Sequence, residues 1–171
     1  MIALNRSALD YMFTGALASS YYGRPRTTLD ADIVLAIEKK DLPALVKTLT
    51  KAKLKVQKTR LQAAWESDYR IATVEDKNTP HTLDIIFTNL KLARNRGRIL
   101  GLPTYYETAD SLILAKLRMI KATVETARAA TDREDIKAIL ESTPIDLKSL
   151  QERARVENTV KILAELIHNS S

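Results

Sequence analysis

The sequence predicts an α+β fold: a small mixed β-sheet core with flanking helices, followed by a C-terminal helical subdomain. Three observations predict it. Apolar and β-branched runs bounded by turn residues recur at 11–14, 31–37, 69–75 and 82–87. Between the second and third of these runs, Leu42, Leu45, Val46 and Leu49 follow a helical spacing. Beyond Pro103 only helical periods remain. Mixed elements followed by helices imply a core at 1–103 and a helical subdomain packed on it at 104–171.

Each element has a local reason. Residues 11–14 are strand-like and stop at Gly15, and 16–22 then read as a short helix closed by Gly23-Arg24-Pro25. Residues 31–37 form a buried strand, and Asp41-Leu42-Pro43 opens a helix with Pro in its first turn. Leu54 and Val56 mark a short strand. In 69–75, Tyr69, Ile71 and Thr73 alternate with Arg70, Ala72 and Val74, and the turn 76–80 returns the chain as the hairpin partner 82–87. Ile113, Leu117, Ile120 and Val124 stripe a helix from 108 to about 127. Thr131-Asp132-Arg133-Glu134 has the pattern of a capping box that opens the next helix, with Ile136, Ile139 and Leu140 inward. Thr143-Pro144 reads as an N-cap and first helical residue, and 156–168 as a last helix striped by Val160, Leu163 and Ile167. Asn169-Ser170-Ser171 is expected to fray.

The 171 residues are 45% apolar and 28% charged, an ordinary globular composition. No cysteine is present, which excludes disulfides, thiolate zinc sites and a cysteine nucleophile. No apolar run approaches the roughly 18 residues of a membrane span, and the opening residues lack the layout of a signal peptide. The chain is therefore expected to be cytoplasmic, with no membrane association. The net charge of +6 suits a polyanionic partner, either a nucleotide triphosphate or nucleic acid. Basic residues gather at 51–60 and at Lys91, Arg94, Arg96 and Arg98. P-loop, dinucleotide-binding and serine-hydrolase motifs are absent, and His81 and His168 stand far apart in sequence.

Asp30 and Asp32 lie two apart at the start of a strand, so both carboxylates point to one face. Two such acids repel unless a cation sits between them, and Mg²⁺ is the hard, oxygen-seeking candidate. Asp84 is set in the apolar run Thr82-Leu83-Asp84-Ile85-Ile86-Phe87 and is the third candidate ligand. Upstream, Gly15 lies between a strand and a helix, where exposed N–H groups can receive an anion. Lys116 has Leu112, Ile113, Met119 and Ile120 as helical neighbours, so its ammonium must snorkel or meet an anion.

Gly15-Ala16, roughly a dozen residues, Asp30-Ala31-Asp32 and then Asp84 on a later strand resemble the polymerase-β-like nucleotidyltransferase superfamily. The stretch from Gly23 to Leu35 resembles its minimal prokaryotic branch, which includes the AbiEii-like toxins of toxin–antitoxin systems. The resemblance covers about residues 10–90 and continues loosely to about 140. It implies that Asp30, Asp32 and Asp84 hold two Mg²⁺ (or Mn²⁺) ions, with an NTP as substrate. It also implies that Thr14, Gly15, Ala16, Ser19 and Arg26 hold the triphosphate. Lys116 matches a helical lysine of that branch, and the resemblance implies phosphate contact and a catalytic role for it. Asp132 and Asp135 match its Asp-x-x-Asp, with Asp135 the catalytic candidate. The chain departs from the pattern at Ala16, which replaces a usual Gly or Ser and has no hydroxyl to offer.

Transfer of a nucleoside monophosphate to a hydroxyl is thus the expected activity, with RNA the acceptor that the charge and the resemblance favour. A catalytically weak nucleotide- or nucleic-acid-binding relative is the alternative, as is a partner-binding component held by a cognate antitoxin.

Overall fold

The structure is a computed structural model describing residues 1–123 and 127–168. Val124 of the expected helical stripe and Asn169-Ser170-Ser171 fall outside the described residues. Two compact units emerge, one of residues 1–17 and 27–107, the other of 18–26 and 108–171.

The first unit is built on one seven-stranded mixed sheet. Its strands are β1 (Asp10–Thr14), β2 (Asp30–Ala36), β3 (Leu54–Lys55), β4 (Ile71–Asp76), β5 (Thr82–Thr88), β6 (Arg94–Ile99) and β7 (Leu102–Glu107), in the order β3-β4-β5-β2-β1-β7-β6. The β2–β5 and β1–β7 pairs are parallel and the rest antiparallel. Strand alternation divides the sheet cleanly. Phe13, Ile33, Leu35, Ile85 and Phe87 point to one side and are buried, as are Leu45 and Leu49 of α3 (Leu42–Lys51) and Leu61 of α4 (Lys58–Glu66). Thr14, Asp32, Asp84 and Thr73 point to the other side, in a row made by the register Thr14↔Asp32, Asp32↔Asp84 and Thr73↔Asp84. Two short helices complete the count before α3: α1 (Ile2–Asn5) and α2 (Gly15–Tyr22), which starts in this unit and ends in the second.

The second unit continues from α2 with α5 (Ala109–Ala122), α6 (Ala127–Ser142), α7 (Leu147–Val156) and α8 (Val160–His168). Leu112, Ile113, Leu117, Ile136, Ile139, Leu150 and Leu163 form its core, each no more than 1% exposed. Gly23 ends α2 where a Cβ would come within 3.0 Å of Ala138, so that turn tolerates no side chain without a shift of α6.

Several local expectations are corrected. The expected boundary at 103/104 falls inside β7, because a hairpin follows β5 where only a basic stretch was read. Arg-Asn-Arg-Gly-Arg is an edge strand whose arginines take one face, and its two-residue turn sets Leu100 and Gly101 at φ 49° and 78°. Pro103 is tolerated in β7 because β1 pairs with that strand only at Phe13↔Tyr106. Helix α4 was likewise hidden in a basic stretch. Thr131-Asp132-Arg133-Glu134 lies inside α6 and caps nothing: the Thr131 hydroxyl donates back to the Ala127 carbonyl at 3.0 Å. Asp132 is therefore not a first-turn acid. Thr143 does not cap α7; its hydroxyl donates to the Tyr22 carbonyl, and Asp146 is the N-cap, accepting from the Ser149 N–H at 3.1 Å. Val156 closes α7, and α8 buries Leu163 and Leu166 rather than the predicted stripe through Ile167.

Candidate active site

The strand register brings Asp30, Asp32 and Asp84 to one face of the sheet. Asp32 stands directly across the parallel β2–β5 pair from Asp84, about 4.8 Å away by strand spacing. Asp30 is one pleat further along, opposite Thr82, whose hydroxyl donates to Asp30 Oδ1 at 2.7 Å. Asp84 Oδ1 accepts from the Thr73 hydroxyl at 2.6 Å. β5 is an interior strand, so Asp84 is no edge gatekeeper. Each of these hydroxyls fixes a carboxylate and still leaves it an outward oxygen.

Gly15 is the first residue of α2 and has φ +57°, a left-handed conformation. A Cβ there would fall 2.1 Å from Asp32 Oδ2 and 2.7 Å from its Cγ. The glycine is thus required twice, by its backbone angle and by the carboxylate packed against it. Asp32 consequently sits at the positive end of α2, where the helix dipole stabilises its charge. Ala16 is buried, as is Ser19 at 1% exposure.

A residue not anticipated from sequence joins this row. Thr14 Oγ1 donates to Glu107 Oε2 at 2.5 Å, across the parallel β1–β7 pair. Glu107 closes β7 immediately before α5, and only the unrecognised hairpin hid it. The Thr14 hydroxyl has given its one proton to Glu107, so it has none to donate to a phosphate. With Ala16 beside it, the turn offers backbone N–H groups as its donors.

The helical unit gathers a different set. Lys116 is 6% exposed on α5, and its Nζ lies 2.5 Å from Asp132 Oδ1 and 2.9 Å from Asp135 Oδ2. Arg26 donates to the two oxygens of Asp135 through Nε and Nη2, each at 3.2 Å. Burial pushes the Asp135 carboxyl up, but Lys116 and then Arg26 outweigh it and hold it below the ordinary carboxylate value. Lys116 does meet anions rather than snorkelling, and they are the chain's own carboxylates. Arg24 pairs with Glu141 at 3.0 Å.

The donors fit a divalent cation in kind: hard oxygens, two of them on directly opposed residues and a third on the same face. As they stand, no three Asp, Glu or His side chains among the described residues are gathered closely enough to hold a metal ion. No helix among the described residues is long and apolar enough to cross a membrane.

No family model and no curated protein sequence matches the chain. Solved structures do. The antibiotic-resistance factor ANT(2'')-Ia in solution aligns with a TM-score of 0.65 at 14% identity, over 98% of this chain and 92% of that one. An antigenic nucleotidyltransferase-like protein from Paracoccidioides brasiliensis aligns with 0.57 at 14% identity, over 94% and 86%. The lincosamide antibiotic adenylyltransferase LnuA, with lincomycin bound, aligns with 0.50 at 12%, over 77% and 87%. At such identities it is the architecture that is shared, and the chain has the fold of these nucleotidyltransferases.

Proposed function

We propose that this chain is a metal-dependent nucleotidyltransferase that moves a nucleoside monophosphate from an NTP to a hydroxyl acceptor. One observation carries the reading: Asp32 and Asp84 are opposed across a parallel strand pair, with Asp32 packed against the left-handed glycine that starts a helix. Asp30, Asp32 and Asp84 are the residues that would hold Mg²⁺ or Mn²⁺. When bound, the metal would supply Lewis-acid stabilisation of the charge developing on the phosphates.

The residues of the chain do the rest. The N–H groups of the Gly15 turn bind the triphosphate. The free oxygen of Asp84 takes the proton of the acceptor hydroxyl as its oxygen attacks the α-phosphorus. The bond from that phosphorus to the bridging oxygen breaks, and pyrophosphate leaves. In the helical unit, Asp135 joins Lys116 to Arg26 and so holds that guanidinium in place.

RNA is the acceptor we favour, because a chain of charge +6 attracts a polyanion and repels a cationic small molecule. A cognate antitoxin would then be a partner. The test is incubation with Mg²⁺ and each labelled NTP, offering total RNA, an aminoglycoside and a lincosamide separately. Label on RNA that Asp32→Asn and Asp84→Asn both lose supports the proposal; label on an antibiotic alone overturns the acceptor.

A second reading, nucleotide binding without transfer, has its own observation: neither Thr14 nor Ala16 has a hydroxyl proton free for phosphate. Triphosphate binding with no transfer to any acceptor would select it.

A further inference from the structure

The outer edge of β6 combines three properties. It is the last strand of the sheet, and no strand pairs with it on its far side among the described residues. Its closing turn has two residues, so Ile99↔Leu102 is the hydrogen-bonded closing pair and alternate residues turn their backbone groups outward. Those residues are Arg94, Arg96 and Arg98. The Arg98 carbonyl accepts the Tyr106 hydroxyl at 3.3 Å, which leaves the Arg98 N–H and both backbone groups of Arg94 and Arg96 open to a neighbour.

Their side chains also share one sheet face, because Arg94, Arg96 and Arg98 are opposite Glu107, Tyr105 and Pro103. They are not equivalent. Arg94 lies 3.9 Å over the Tyr105 ring, pairs with Asp10 and donates to the Tyr11 carbonyl at 2.7 Å. Arg98 donates to the Gly101 carbonyl in its own turn. Arg96 is exposed and, among the described residues, has no partner. A cavity of about 390 Å³ opens beside Arg94 and Arg96, floored by Tyr105, Pro103 and Asn5.

We infer that the β6 edge is a docking strip for an extended acidic segment of a partner protein, which adds as an eighth strand. Cross-strand neighbours on an added strand recur every second residue, so acids at alternate positions would face the arginine row. The open backbone ladder favours a peptide over nucleic acid, because only a peptide can complete it. A second copy of this chain is disfavoured, since two such edges would set arginine against arginine. The inference does not rest on nucleotidyl transfer, and its test uses no NTP.

The probe is a fluorescein-labelled, capped peptide of alternating Glu and Val, titrated into the full chain and followed by anisotropy. Saturable binding is expected, with the amides of 94–98 gaining hydrogen-exchange protection and the affinity weakening as salt rises. A Lys–Val peptide should not bind. The double variant R96E/R98E should weaken binding about tenfold or more, the scale of two reversed charge pairs. Arg96→Pro removes one outward N–H without touching the β6–β7 ladder, and it should weaken binding more than Arg96→Ala does. Should Arg96→Pro fail to fold, R96E/R98E and the exchange data still decide. Absence of binding, binding without protection at 94–98, or tighter protection of the same amides by oligo(U) would each overturn the inference.

Discussion

Replacing Lys116 with methionine isolates the buried charge network of the helical unit. Methionine keeps most of the apolar stem and removes only the ammonium. Three side chains are involved, Lys116, Asp132 and Asp135, exposed by 7%, 11% and 9%. At these contact distances an effective dielectric near 20 gives roughly 6–7 kcal/mol of attraction per pair, most of it offset by the cost of burying the charges. What the substitution exposes is the uncompensated burial of two acids, one of them still held by Arg26. Breaking a buried pair in this way costs about 3–5 kcal/mol. For a chain of this size that lowers the melting temperature by about 6–20 °C.

The pH dependence gives a sharper test. Lys116 and Arg26 depress the Asp135 pKa in the folded state. A depressed carboxyl contributes stability that is fully present above its unfolded value, about 3.9, and is lost as pH falls through the folded value. Without Lys116, burial works against the charged form and only Arg26 opposes it. The gap between wild type and Lys116→Met should therefore be full near pH 7 and close as pH falls below about 3.9. Thermal melts and urea titrations at a series of pH values measure it. Adding Asp132→Asn and Asp135→Asn to the variant should recover part of the loss, because the uncompensated charges go too. A loss below about 1 kcal/mol, or a gap unchanged from pH 8 down to about pH 2, would refute the network as a source of stability.

Gly15→Ala should cost about 1–2 kcal/mol for the left-handed backbone alone. It should also displace the Asp32 carboxylate, so metal-dependent transfer is expected to fall further than the melting temperature does, and parallel assays show this. Asp32→Asn and Asp84→Asn should abolish transfer while leaving the melting temperature unchanged or slightly raised, because each removes one of two like charges on opposed residues. Glu107→Ala should raise the KM for NTP by loosening Thr14, whereas Glu107→Gln can still accept the Thr14 hydroxyl and should stay close to wild type. Steady-state kinetics of the two side by side separate a positioning role from simple loss of packing.

The carboxylate face was legible because it depends on short-range pattern. Asp30 and Asp32 are two apart in a strand, and alternation alone puts them together. Asp84 stood out as one charge in an apolar run, although its register opposite Asp32 is a long-range fact that the sequence does not display. Glu107 was invisible for the same reason: its meaning comes from β1 and β7 lying side by side, 93 residues apart in sequence. The β6–β7 hairpin was missed because an edge strand needs no apolar alternation. Its arginines take the exposed face, and charge masked the strand period. The capping box in α6 misled differently. Thr131 and Glu134 have the right spacing, but a helix already runs through them, and tertiary packing overrode the local signal.

The two groups of acids differ in how their charge is met. Asp132 and Asp135 are buried with Lys116 between them, and Arg26 braces Asp135. Both acids are paired within the chain. Asp30 and Asp84 form no ion pair among the described residues and are met only by threonine hydroxyls, which orient a carboxylate without cancelling its charge. Asp32 lies on the same face, directly opposite Asp84. Read from sequence, Lys116 and Asp135 are among the catalytic candidates, and metal binding is kept for the three strand acids. The geometry separates them: the helical acids are paired with two cations of the chain, whereas Asp30 and Asp84 are held by threonine hydroxyls.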